Sequence, residues 1–301
     1  MPPSTPTFTC GRSRVNTARE LMPVPRAARA LHKRTARCYL SRMSLAGAYR
    51  TEDGTILPAI TTEEMRELDV IATDETGPVL LQMMENAGRN LAEVILAELP
   101  EDGTDAAIVV LAGTGGNGGG GICAARHLAN RGLDVTLCVS RPEDLQEVPA
   151  RQRMIYGNTS GAVVDVENLA SLGADVVVDA IIGYSLQEAP HGPEADMIQW
   201  ACDQRARSDA RIVSLDVPSG VDATTGDAPG SVVHAHTTLT LALPKTGLHP
   251  STSADAEMIG TVKLGDIGLP SGLYARFGSP VPFVHSFVVE LEAVAEEVAS
   301  A

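Results

Sequence analysis

No stretch of this sequence approaches the roughly 20 consecutive apolar residues that a helix needs to cross a bilayer, so a soluble protein is expected. Cysteine is scarce. Cys10, Cys38, Cys123, Cys138 and Cys202 form no C-x-x-C pair and no dense framework, which argues against a disulfide scaffold. Cys123 and Cys138 fall in predicted core elements, where a thiol behaves as a small hydrophobe, and reduced thiols in a cytoplasmic protein are the expectation.

Basic residues are also in short supply, 23 Lys and Arg against 38 Asp and Glu. They are unevenly spread: residues 1–42 carry nine bases and one acid, Glu20, a net +8, which leaves a body of net −23. A surface that negative repels phosphate polymers, so a broad nucleic-acid interface is disfavoured. The first 42 residues lack a continuous apolar core of the secretory kind, and their Arg-rich, Ser/Thr-containing character fits a transit peptide, a basic arm or a start upstream of Met43. Residues 1–57 are expected to be a disordered extension and 58–301 a single domain. No internal repeat is visible.

What is present begins with 44% hydrophobic residues in 301, enough for a sizeable core. Thr61 and Glu64 offer a capping box ahead of Met65, Leu68 and Ala72 at helical spacing. A second helix over 79–99 places Leu80, Met84, Ala87, Leu91 and Ile95 on one face, with Met83 and Met84 expected in the core. Strands and helices then alternate: strands over 106–112, 134–140, 162–166, 174–182, 211–217, 231–243 and 259–264, and helices over 122–129, within 142–155 and over 194–205. Val/Ile/Leu runs without polar alternation predict a largely parallel sheet covered on both faces.

Between the first of these strands and its helix lies Gly113-Thr114-Gly115-Gly116-Asn117-Gly118-Gly119-Gly120-Gly121. Seven glycines in nine positions point to close backbone approach and positive φ rather than packing, and a following helix N-terminus favours an anion. The spacing Gly113-x-Gly115-x-x-Gly118 also satisfies the dinucleotide fingerprint. Its usual acidic companion is missing, since the next strand runs into Arg141; an NADP-type variant remains open.

Ligands of open parallel sheets sit beyond the carboxyl ends of the strands. Three predicted strands end there in polar turns, which bring Asn117, Asp179 and Ser219 toward one edge. Carboxamide, carboxylate and hydroxyl oxygens are hard ligands suited to an alkali or alkaline-earth ion. Asp216 lies close by as a candidate general acid or base.

These segments resemble the NAD(P)H-hydrate epimerase family, the YjeF N-terminal domain. The resemblance covers about Pro58 to Pro270 and rests on five motifs in order: Met84-Glu85-Asn86-Ala87-Gly88; Gly113 to Gly121 with Ala124-Ala125-Arg126-His127-Leu128; Val178-Asp179-Ala180-x-x-Gly183; Asp216-x-Pro218-Ser219-Gly220-x-Asp222; and Pro244-Lys245-x-Gly247-Leu248. It implies a Rossmann-like three-layer α/β sandwich and an isomerase that interconverts the R and S forms of hydrated NADH and NADPH. It further implies one potassium ion per subunit, held by Asn117, Asp179 and Ser219, and a homodimer. Gly116, Asn117, Gly118, Gly119 and Gly120, together with Gly183, Tyr184, Ser185, Leu186, Gln187, Glu188 and Ala189, would contact the dinucleotide. Asp216 would contact it as well and carry the proton transfer.

One departure stands out: the family loop usually reads Asn-Asn-Gly-Gly-Asp-Gly, and here the first Asn and the Asp are Gly116 and Gly120. Too few residues follow Pro270 for the dehydratase domain fused to some relatives, so that activity is expected from another chain. The competing readings are a nucleotide-binding module without turnover and an NADP-dependent oxidoreductase. His234 and His236 share one side of a predicted strand but have no third metal ligand nearby. Lys245 is expected to contact an anion at the site or to form a surface salt bridge, and Glu85 and Asn86 to line the pocket or to lie on the helix surface.

Overall fold

In the computed structural model, residues 47–99, 105–253 and 255–295 are described. Ten strands form one sheet: β1 (Ala48–Thr51), β2 (Ile56–Pro58), β3 (Ala107–Ala112), β4 (Asp134–Val139), β5 (Ala162–Val164), β6 (Val176–Ala180), β7 (Arg211–Leu215), β8 (Thr237–Leu241), β9 (Thr261–Gly265) and β10 (Val288–Ala293). Their order is β2-β1-β10-β9-β8-β7-β6-β3-β4-β5. The run from β5 to β9 is parallel, and β10, β1 and β2 extend it antiparallel.

The helices are α1 (Thr62–Ile71), α2 (Leu80–Glu98), α3 (Gly116–Ala129), α4 (Glu147–Tyr156), α5 (Pro193–Ser208) and α6 (Ser271–Arg276). Alternation along β3 explains the three layers. Ile108, Val110 and Ala112 pack with Leu91 and Ile95 of α2 and Ile122 and Leu128 of α3. Val109 and Leu111 pack on the other face with Met197, Ile198 and Ala201 of α5. The expected α/β sandwich with a mostly parallel sheet is therefore present. Thr61 caps α1 as the sequence predicts, its hydroxyl accepting from Glu64 N while the Glu64 carboxylate accepts from Thr61 N.

Four expectations need correction. Residues 47–57, assigned to a disordered extension, include the β1–β2 hairpin that finishes the sheet edge; residues 1–46 lie outside the described residues. The strand expected over 231–243 is regular only as β8, because the segment before it folds over the turn at Ser219 and Gly220, with Val233 N donating to Ser219 O. The helix expected from Ile122 begins at Gly116. Finally, no glycine between 113 and 121 takes a positive φ. Gly118 to Gly121 are buried inside α3, where a side chain would overlap the Gly113 carbonyl, Met84, Leu215 or Ala180. Those four glycines let α3 pack closely against its preceding loop, α2 and the sheet.

The chain runs β3, β4, β5 outward on one side and then crosses to β6, β7, β8 and β9 on the other. Strand order thus reverses between β3 and β6, and a crevice opens at the carboxyl ends of these neighbours, the usual place for a ligand in such sheets.

Candidate active site

Asp216 directly follows β7 and has φ +69°, a conformation that costs a residue with a side chain energy and that folds retain mainly at functional positions. Val217 N donates to Leu215 O across it at 2.9 Å. The neighbouring strand ends in the same way: Ala242, directly after β8, has φ +63°, and Leu243 N donates to Leu241 O at 2.8 Å. Paired tight turns on adjacent strands bring Lys245 back onto Asp216.

Lys245 Nζ lies 2.6 Å from Asp216 Oδ1, with the lysine side chain fully buried. The contact is a charge pair rather than an aligned hydrogen bond; Nζ directs a hydrogen bond to Leu241 O at 2.7 Å. The surface salt bridge expected of Lys245 is corrected, because the fold closes over the ammonium and sets it against the Asp216 carboxylate at the site edge. The other carboxylate oxygen, Oδ2, accepts from Tyr184 N at 2.9 Å.

Tyr184 links Asp216 to an acid that sequence reasoning missed. Its hydroxyl donates to Asp69 Oδ2 at 2.6 Å. Asp69 stands one turn beyond the buried Met65 on α1, so an acid on an otherwise apolar stripe was the available signal. Burial pushes the Asp69 carboxyl up, against the lowering influence of the Tyr184 hydrogen bond and the Lys245 charge, and the Asp216 charge adds to the rise.

Asp179, the penultimate residue of β6, is fully buried. Its Oδ1 accepts from Ser219 Oγ at 2.5 Å, and its Oδ2 accepts from Ser214 Oγ at 2.7 Å and Ser219 N at 2.8 Å. These donors are neutral, so burial still pushes its carboxyl up. Asn117, in the first turn of α3, has both carboxamide atoms buried without a hydrogen-bond partner among the described residues. Its side chain and Asp216 Oδ2 both lie against the α-carbon of Gly183, where a Cβ would meet them at 3.0 to 3.2 Å. An orphaned carboxamide oxygen, a buried carboxylate facing only neutral donors and a hydroxyl make a donor set that fits a hard cation.

Two cavities meet over this edge. One of about 280 Å³ is lined by Met65, Asp69, Met83, Met84, Tyr184 and Asp216 among others, and one of about 460 Å³ by Thr114, Arg141 and residues 185–191 among others. Gly116, Asn117, Gln146, Gly183 and Ser185 line both. Of the sequence-derived contacts, Gly183, Tyr184, Ser185, Leu186, Gln187, Glu188 and Ala189 reach the cavities; Gly118, Gly119 and Gly120 line neither, for the packing reason already given. Met83 and Met84 are buried as expected yet also form a wall of the smaller cavity. Arg141 faces the larger cavity, gripped by the Glu194 carboxylate at 2.7 Å on each side of its fork.

Glu85 turns away from both cavities toward α3. Both of its oxygens lie 2.6 Å from Arg126 Nη2, and Oε1 lies 2.9 Å from His127 Nε2. Asn86 approaches Gly268. His236 Nδ1 accepts from Ile212 N at 2.9 Å, which gives that ring a structural partner.

The sequence matches the family described as YjeF-related protein N-terminus over residues 80–247. It is 47% identical to an NAD(P)H-hydrate epimerase of Dehalogenimonas lykanthroporepellens, over 83% of this chain and 99% of that one. With an NAD(P)H-hydrate epimerase of Rhodopirellula baltica the identity is 33%, over 73% and 88%. A bifunctional NAD(P)H-hydrate repair enzyme of Moorella thermoacetica is 34% identical over 72% of this chain, which spans only 41% of that protein. Among solved structures, the yeast protein YNL200c superposes with a TM-score of 0.67 over 79% of this chain and all of its own, at 23% identity, a likeness of fold.

Proposed function

The chain belongs to the YjeF-related N-terminal family, and from that membership we propose how its cavities and side chains carry the family's chemistry. Its activity is that of an isomerase, the epimerisation of hydrated NADH and NADPH between their R and S forms. The damaged nicotinamide ring carries a hydroxyl at C6 and sits in the smaller, more apolar cavity. The diphosphate lies at Gly115 to Asn117, where the first amides of α3 and its positive end favour anions. The adenosine half extends into the larger cavity past Ser185 to Ala189 and Arg141. A dinucleotide needs both spaces, since the smaller one falls just below the usual range of about 300 to 1,000 Å³ for ligand pockets.

Asp216 is the proton-transfer group. The ring nitrogen lone pair helps to expel the C6 hydroxyl, which leaves as water once protonated, and the iminium then takes up a water on either face. The observation that carries this reading is the placement of Asp216: a carboxylate on a strained backbone, fixed by Lys245 and Tyr184 N, on the wall of the smaller cavity. Asn117, Asp179 and Ser219 are proposed to hold a potassium ion. Such an ion would supply positive charge beside an anionic substrate.

A homodimer is proposed from the family resemblance. Exposed Val70, Val79 and Leu81, around the ends of α1 and α2, offer apolar surface for it. The pathway partner is an NAD(P)H-hydrate dehydratase, a pairing supported by the bifunctional relatives. Free thiols at Cys123, Cys138 and Cys202 accord with a reducing compartment, and the cytoplasm is proposed on that ground. The test is an assay of R/S interconversion of hydrated NADPH in potassium and in lithium buffers. Interconversion stimulated by potassium supports the assignment, and an inert protein in both buffers opposes it.

A further inference from the structure

Epimerisation at one carbon has a geometric requirement: a hydroxyl leaves from one face of the ring and a water adds to the other. A single carboxylate fixed in one wall serves one face. Asp216 cannot swing to serve the second, because Lys245 holds Oδ1 and Tyr184 N holds Oδ2. The same cavity carries a second carboxylic acid, Asp69 of α1. Tyr184 connects the two, its backbone N–H donating to Asp216 and its hydroxyl to Asp69. Both acids line the one cavity together with the apolar wall of Met65, Met83 and Met84, which suits a flat ring.

We propose that Asp69 is a second catalytic residue, exchanging protons with the ring face opposite Asp216 while the Tyr184 hydroxyl positions it. The proposal rests on the epimerase reading above. In one direction the Asp69 carboxyl gives its proton to the departing C6 hydroxyl. The C6–O bond breaks, its electron pair leaves with the oxygen as water, and the nitrogen lone pair forms the N1=C6 bond. A solvent water on the other face then bonds to C6 through oxygen and yields a proton to the Asp216 carboxylate, and the N1=C6 pair returns to nitrogen. One water is released, one is consumed, and one proton has passed from Asp69 to Asp216; the open cavity lets solvent reset both. The opposite epimer runs the same steps in reverse.

The environments of the two acids suit this division. Lys245 Nζ lies against Asp216, whereas among the described residues no cation contacts Asp69, and burial pushes the Asp69 carboxyl up, which favours it as the protonated donor. The titratable groups facing Asp69 are the Tyr184 hydroxyl, Lys245 and Asp216, with Arg66 acting on Tyr184.

The test uses the full chain with separated R and S forms of hydrated NADPH, following interconversion from pH 5 to 9 for the wild type, Asp69→Asn and Tyr184→Phe. Wild-type activity is the control for the epimerase reading itself: an inactive wild type refutes that reading and this proposal together. Given an active wild type, Asp69→Asn should lower kcat by about 100-fold or more with little change in KM, and should abolish the fall of kcat toward high pH. Tyr184→Phe removes a hydrogen bond that favours the ionised carboxylate, so it should move that limb to higher pH. A merely structural Asp69 would leave the position of the limb untouched. Wild-type kcat and an unchanged profile in Asp69→Asn would overturn the proposal. If that variant fails to fold, a Tyr184→Phe limb at the wild-type pH overturns it alone.

Discussion

Lys245 Nζ meets Asp216 Oδ1 at 2.6 Å in a place where the lysine side chain has no exposure and the aspartate 5%. Two tight turns, centred on Asp216 and Ala242, create that contact. The ammonium offsets the charge of a buried carboxylate and fixes its direction, so removing it leaves an uncompensated ion. Lys245→Ala is therefore expected to destabilise the fold by about 3 to 5 kcal/mol, measured by urea denaturation at pH 7. A loss under about 1 kcal/mol, within the spread of ordinary surface substitutions, would show that the pair does not hold this edge together.

The glycine-rich segment makes different predictions a few residues apart. A methyl at Gly118 overlaps the backbone carbonyl of Gly113, which cannot give way as a side-chain end can. Gly118→Ala should cost about 1 to 3 kcal/mol or more. Among the described residues nothing lies within 4 Å of a methyl at Gly116, the exposed first residue of α3, so alanine there should change stability by less than about 0.5 kcal/mol. Equal midpoints for the two variants in thermal unfolding would contradict the packing account.

Acid stability has a contributor away from the cavities. Burial raises the Glu85 carboxyl, but the hydrogen bond and charge of Arg126, with help from Cys123 and His127, outweigh it and leave the group at about 2 instead of 4.5. A lowered folded-state value means that the ionised form stabilises the fold above the unfolded value and that this contribution fades as pH falls from about 4.5 toward 2. Glu85 is partly exposed, so after solvent screening the effect is on the order of 1 kcal/mol. Denaturation of wild type and Glu85→Gln between pH 6 and 2.5 should show the wild-type advantage shrinking across that window. A pH-independent difference would contradict the linkage.

The proposed cation site predicts a salt-specific response. Exchanging lithium for potassium should raise the melting temperature of the wild type at constant ionic strength, by mass action on the folded state. Asp179→Asn, which keeps the shape of the side chain and removes its charge, should lose that response. An identical shift in both proteins would place potassium elsewhere.

Much of this architecture was legible in the sequence because its signals were local. Thr61 and Glu64 announce α1, and β3, β6 and β7 read as apolar runs whose ends carry Asp179 and Asp216. What escaped was set by distant packing. β10, with Glu290 and Glu292 interrupting its apolar residues, and the short β1 become strands because they find one another at the sheet edge. The glycines at 118 to 121 suggested a phosphate cradle, yet three of the four are fixed by Met84, Leu215 and Ala180, which approach from other elements. Leu215 also fills the space beside Gly120. Asp69 was hidden for a similar reason, since its role depends on Tyr184, which is 115 residues away in the chain.

Asp216 at the cavity wall carries the account, and Asp216→Asn tests it most directly. Asparagine is among the residues that best tolerate a positive φ, so the turn should survive, as circular dichroism can verify. R/S interconversion of hydrated NADPH, followed by separating the epimers over time, should fall at least about 100-fold in the folded variant. A folded Asp216→Asn protein that interconverts the epimers at the wild-type rate would contradict the account.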